Sequence, residues 1–142
     1  GRIPTTDTPY GRVASVICYD MDFPDHVIQV GRAEVDVLFA PSADWQEVGP
    51  THSLMAEFRA IENGVSLVRP ARAGVHSAVD PYGRTLAKMD EFTPEQLVMV
   101  AQVPINGVRT IYSYVGDLFA WLCVAGLLGA IVWAKLRSRQ MN

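Results

Sequence analysis

The chain has little cysteine, no metal-binding spacing and no basic stripe, and each absence narrows what it can do. Only Cys18 and Cys123 occur in 142 residues. One ends a strand-like run and the other lies inside a long apolar run, so a bridge between them is implausible. Cys18 reads as a free thiol and Cys123 as a small lipid- or helix-facing residue. His26, His52 and His76 stand 26 and 24 residues apart, without the helical or Cys-x-x-Cys spacing that suits a metal. No metal is expected, and each histidine reads as a polar surface or loop residue. A net charge of −3, with no basic stripe outside the C-terminal tail, speaks against nucleic-acid binding. There is no internal repeat and no low-complexity tract. Residue 1 is Gly, and no charged segment followed by an early apolar one reads as a signal peptide. The chain is therefore expected to be the C-terminal piece of a longer membrane protein, whose N-terminal half is its first partner.

What is present is a run of 17 residues, 118–134, with no charge in it. At about 1.5 Å per residue it reaches roughly 25 Å, and its flanks complete a bilayer's hydrocarbon layer of about 30 Å. Tyr112 and Tyr114 precede it, and Trp133, Lys135, Arg137 and Arg139 mark its other edge. Aromatic residues favour the interface and short basic tails stay cytoplasmic, so the tail is expected inside and everything before Gly116 outside. The division expected is a catalytic part over 1–112, a membrane helix with interfacial flanks over 113–136, and a basic cytoplasmic tail over 137–142. Without the crossing, about 115 residues remain, enough for one modest core.

Residues 12–18 read as a buried strand, and Phe23-Pro24 opens a helix with Val27, Ile28, Val30 and Ala33 on its apolar face. Residues 35–40 form a second apolar strand that Pro41 ends. Residues 42–50 are a loop carrying Trp45. Thr51 is expected to cap a helix whose Leu54, Met55, Phe58 and Ile61 fall at helical spacing until Gly64 stops it. Residues 65–68 are a third strand. Such alternation implies right-handed crossovers and parallel strands, which puts Cys18 and the loop from Ser42 to Trp45 on one sheet edge. Residues 74–79 and 84–89 then form a hairpin about the turn Asp80-Pro-Tyr-Gly83, and residues 97–103 a last strand.

A thiol at the end of a buried strand faces the crevice where open α/β sheets bind ligands, and Cys18 is the candidate nucleophile. Its setting, Ile17-Cys-Tyr-Asp20 with Phe23-Pro24, followed by Arg59-Ala-Ile-Glu-Asn63 and Asp80-Pro-Tyr-Gly83, resembles the C-terminal half of the nitrilase (carbon–nitrogen hydrolase) superfamily. The added crossing, with Gly49-Pro-Thr-His52, Thr110-Ile-Tyr112 and Gly116-Asp117, is similar to its apolipoprotein N-acyltransferase branch.

The resemblance implies an αββα sandwich, of which this chain supplies the C-terminal half followed by one transmembrane helix, and a Glu-Lys-Cys triad that needs no cofactor. Cys18 matches the nucleophile that forms an acyl thioester, the Tyr19 backbone N–H an oxyanion donor, and Asp20 a supporting acid, with turn-capping as its alternative role. Asp22 reads as a helix cap. The triad Glu and Lys precede the Cys in the family, whereas residues 1–17 hold Asp7, Arg2 and Arg12 but neither residue type, so the piece alone is expected to be inactive. Arg59 and Glu62, three apart on a helix, can pair, and with Asn63 they read as a structural scaffold behind the site. Trp45, with Phe39 and Val48 near it, is a candidate wall for an acyl chain.

The reaction implied takes a fatty acyl group from a phospholipid onto Cys18 and passes it to the N-terminal amine of a diacylglyceryl-cysteine lipoprotein, at the outer face of a bacterial inner membrane. The alternatives are a membrane-tethered amidase that sends the thioester to water, and a degenerate, non-catalytic scaffold. His52 would be a Cys–His base only outside this family.

Overall fold

The computed structural model describes residues 1–93 and 98–140. Its centre is a six-stranded sheet built from β1 (Thr5–Thr8), β2 (Gly11–Ser15), β3 (Val37–Phe39), β5 (Ser66–Arg69), β7 (Val75–Val79) and β8 (Thr85–Asp90), in that spatial order. Strands β2, β3 and β5 are parallel, and the edges on both sides are antiparallel. Two short strands, β4 (Ser42–Ala43) and β6 (Ala71–Arg72), pair beyond the ends of β3 and β5. The alternation read from the sequence is therefore present.

The two parallel crossovers are helices, α1 (Pro24–Arg32) and α2 (Gly49–Asn63). In α1, Pro24 occupies the first turn, where its missing N–H costs nothing, and Asp25 and Arg32 sit at the ends that suit their charges. Crossovers of one hand put both helices on one side of the sheet. There Val27, Val30, Ala56 and Ala60 form a buried core with Ala14, Val16, Leu38, Ala40 and Leu67 from alternating strand positions. On the other side Ser15 and Phe39 are exposed and Val68 is half-buried. The fold is a mixed α/β nitrilase-like layer pair, one sheet with one helical layer.

Several expectations are corrected. Helix α2 begins at Gly49, with Pro50 in its first turn and no side-chain cap, so Thr51 lies inside it and does not cap it. Its stripe of Leu54, Met55, Phe58 and Ile61 faces outward, with exposures of 39–53%. The face on the sheet is made instead of Ser53, Ala56 and Ala60, whose small side chains let the helix approach the strands closely. The first strand ends at Ser15, before Cys18. The strand expected over 97–103 is absent across its described residues, 98–103; Val98 and Val100 are largely exposed there, and Leu97 lies outside the described residues.

Gly64 does end α2, at φ 65°, and its environment leaves no room for a side chain: a Cβ there would meet the Val108 carbonyl oxygen at 1.7 Å. The segment before the apolar run is tied back at this point. Val108 N–H donates to the Gly64 carbonyl at 2.7 Å, Gly107 N–H to Asp36 at 2.9 Å, and Ser66 to the Pro104 carbonyl at 2.7 Å. Thr110 then caps α3 (Ile111–Val115) by accepting from Ser113 N–H. A break at Gly116, φ 55°, separates α3 from α4 (Leu118–Gln140). Of α4, the 21 residues Leu118–Ser138 are long and apolar enough to cross a membrane, and none of that stretch is buried against the rest of the chain.

Candidate active site

Cys18 opens a turn of 3-10 helix, Cys18–Asp22, beyond the carboxyl end of β2. Its φ is 45°, a left-handed conformation that a residue with a Cβ adopts only where its surroundings enforce it. The enforcing contacts are visible. Cys18 N–H donates to the Pro41 carbonyl at 2.9 Å, which locks the turn to the exit of β3. Ile17 N–H donates to the Asp20 carboxylate at 2.8 Å, and Met21 is buried beneath the turn. Of the two roles open to Asp20, this arrangement displays the turn cap. The Cys18 thiol points at the Ala43 carbonyl, 3.6 Å away. The expected meeting of Cys18 with the loop from Ser42 to Trp45 is thus present, for the topological reason given.

Around the thiol lies a cleft of about 430 Å³, lined mainly by apolar surface from Tyr19, Trp45, Val48 and Met55, with Thr51 and His52 at its base. Trp45 is 60% exposed and forms one wall. Phe39 is not part of the cleft; it sits on the open face of the sheet. The Tyr19 ring stacks edge-on against Phe23 at 5.2 Å, so the turn also carries an aromatic rim. Two other clefts, around Arg12 and Asp36 and beside Gln29 and Arg32, are more polar or lack a nucleophile.

A charged chain underlies the cleft. Arg69 on β5, wholly buried, donates to the Asp44 carboxylate at 2.7 Å and to the Val75 carbonyl at 2.9 Å. The other oxygen of Asp44 meets His52 Nδ1 at 2.8 Å, and His52 Nε2 meets the Asp22 carboxylate at 3.2 Å. His52 is therefore no surface residue: its side chain is 11% exposed. Asp22 partners His52, and the N-cap of α1 is Phe23 and not Asp22. Sequence spacing hid this series, since its four members come from a strand, a loop, a helix and a 3-10 turn. Crossover handedness, which places the 42–45 loop beside Cys18, also brings the first turn of the following helix there, and with it His52. Cys18, Asp44 and His52 present ligand atoms within 4.8 Å of one another, but the Arg69 guanidinium on Asp44 opposes a cation there.

Arg59, Glu62 and Asn63 lie elsewhere. Arg59 and Glu62 pair at 2.7 Å, and Asn63, buried, donates to the Arg59 carbonyl at 2.9 Å. Glu62 is ten residues past His52, roughly 15 Å along the helix axis. The trio shapes the junction with the segment that precedes the apolar helix and does not line the cleft. Burial raises the Glu62 carboxyl above its ordinary range, with Arg59 pulling it down and Asp117 pushing it up. Tyr112, raised chiefly by burial, donates to Asp117 at 3.2 Å beside it.

The carbon–nitrogen hydrolase family pattern matches residues 1–112. The chain belongs to this family. An apolipoprotein N-acyltransferase of Geobacter metallireducens is 33% identical over 99% of this chain, which amounts to 27% of that protein. A deaminated glutathione amidase of mouse is also 33% identical, over 62% of this chain and 31% of its own length. Among solved structures, Saccharomyces cerevisiae Nit3, a member of the nitrilase superfamily, superposes with a TM-score of 0.59 at 32% identity, covering 64% of this chain and 38% of Nit3. The chain thus spans well under half of the length of each of these three proteins.

Proposed function

We propose that this chain is the C-terminal part of a membrane-bound N-acyltransferase, with Cys18 as the nucleophile that carries the acyl group. The observation that carries the reading is the extent of the likeness. The Geobacter acyltransferase aligns over 99% of the chain, membrane helix included, whereas the mouse amidase, at equal identity, aligns over 62%. An apolar cleft opening on the nucleophile, on a chain bearing a membrane-length helix, suits two lipid-anchored substrates.

In the first half-reaction the Cys18 thiolate attacks the ester carbonyl of a phospholipid. The ester C–O bond breaks, and the lysophospholipid leaves as an alcohol with the proton taken from the thiol. In the second half-reaction the free α-amine of a diacylglyceryl-cysteine lipoprotein attacks the thioester, forming an amide and returning the thiol. A thiol with an ordinary pKa near 8.5 needs a base, and the family's Glu and Lys, placed upstream of residue 1, supply the base and an oxyanion contact. The Tyr19 backbone N–H is the second oxyanion donor. Trp45 guides the acyl chain. The domain stands on the outer face of a bacterial inner membrane, with the basic tail in the cytoplasm.

The amidase relatives favour one alternative, in which water discharges the same thioester. The two separate by acceptor. The longer protein, acylated on Cys18 and mixed with a diacylated lipopeptide, transfers the acyl group to the peptide amine under the first reading; loss to water at the same rate with or without peptide establishes the second.

A further inference from the structure

We propose that His52 is a positioning residue for the nucleophile: its imidazole clamps the Cys18–Asp22 turn, through Asp22, to the buried Asp44–Arg69 pair. The inference rests on Cys18 being the reacting group and adds a residue to which no role has been given.

The need for a clamp follows from the backbone. A non-glycine residue at φ 45° is strained and keeps that conformation only where its neighbours over-determine it. At its start the turn is held by the hydrogen bond from Cys18 N–H to Pro41. Its far end, Asp22, meets His52 Nε2 at 3.2 Å. His52 is the fourth residue of α2, and its other nitrogen reaches Asp44 at 2.8 Å. Asp44, wholly buried, is in turn fixed at 2.7 Å by Arg69 on a central strand. A continuous series of polar contacts therefore runs from the middle of the sheet to the nucleophile turn, and among the described residues His52 joins that series to Asp22.

The geometry separates this role from two others. An exposed ion pair holds little, but the three side chains joined here are 11%, 0% and 18% exposed. A Cys–His base needs a ring nitrogen free to take the thiol proton, whereas both nitrogens of His52 face carboxylates and the thiol points at Ala43. The two ring nitrogens reach two different carboxylates. An amide side chain offers a single nitrogen and cannot span the two.

The test uses the longer, membrane-reconstituted protein and two readouts: the rate at which iodoacetamide alkylates Cys18, and the rate and phospholipid KM of Cys18 acylation. His52→Ala and Asp22→Leu are each expected to slow alkylation and acylation roughly tenfold or more, as misplacement of a reacting group does, with KM changed less than about twofold. The double variant is expected to be no slower than His52→Ala alone, because both cut the same link. If His52→Ala fails to fold, Asp22→Leu carries the test, since it nearly keeps the shape of a side chain that is partly exposed while removing its acceptor oxygens. Wild-type rates in either folded variant, losses that multiply in the double variant, or a rise in KM at constant rate overturn the proposal. So does a near-dead His52→Ala beside a fully active Asp22→Leu, which would make His52 a base. Alkylation needs no lipid, so a wild-type protein that alkylates but never acylates refutes the acyl-transfer reading while still judging His52.

Discussion

The Arg69 guanidinium and the Asp44 carboxylate meet at 2.7 Å with neither side chain exposed to solvent. Removing one member of such a pair strands the other's charge in the interior, at a cost of about 3–5 kcal/mol. Arg69→Met is therefore expected to lower stability by about that amount in chemical denaturation. Adding Asp44→Asn to it is expected to recover part of the loss. A single variant within about 1 kcal/mol of wild type would show that the pair does not hold the floor of the cleft.

Gly64→Ala is expected to be among the most damaging small substitutions in the chain. The left-handed conformation alone costs about 1–3 kcal/mol with a Cβ, and here the Cβ falls 1.7 Å from the Val108 carbonyl oxygen. The end of α2 and the segment leading to α4 must then part, so melting temperature and protease resistance near residue 108 should fall together.

Two carboxylates give opposite pH signatures. Burial pushes the Asp80 carboxyl up, but hydrogen bonds from the Arg84 backbone and guanidinium and the Tyr82 N–H outweigh it and leave it below its ordinary value. Its stabilisation is present above the unfolded value near 3.9 and is lost as pH falls through the lowered folded value. Asp80→Asn should flatten the acid limb of the stability curve and cost about 2 kcal/mol at neutral pH. Glu62, raised by burial, works the other way: stability declines as pH climbs from the ordinary carboxyl value through the raised one, and Glu62→Gln should remove that decline. Unfolding followed from strongly acidic to neutral pH measures both.

Trp45→Ala is expected to raise the KM for a long-chain phospholipid several-fold with a smaller change in the rate of acylation, because it removes a cleft wall and leaves the thiol in place. A short-chain ester donor should be affected less. Equal losses with both donors would refute an acyl-chain contact.

The parallel alternation, the start of α1 at Pro24 and the end of α2 at Gly64 were legible because each depends on local backbone chemistry: a ring without an N–H, a residue without a Cβ. The approach of Cys18 to the 42–45 loop was legible because crossover handedness fixes it. The outward stripe of α2 was not. Helical spacing finds an apolar face, but Ser53, Ala56 and Ala60 took the buried side because closeness to the sheet outweighed side-chain hydrophobicity. His52 was missed for another reason. Its partner Asp22 is 30 residues away, and the two meet because the sheet edge that carries the 42–45 loop also carries the start of α2.

The central claim is that Cys18 carries an acyl group. The most direct measurement is mass spectrometry of the longer protein after incubation with phospholipid, searching the peptide containing Cys18 for a hydroxylamine-labile fatty acyl mass. The account predicts that adduct, its absence in Cys18→Ala, and its discharge by a diacylated lipopeptide much faster than by water. A folded protein that shows no adduct on Cys18 would contradict it.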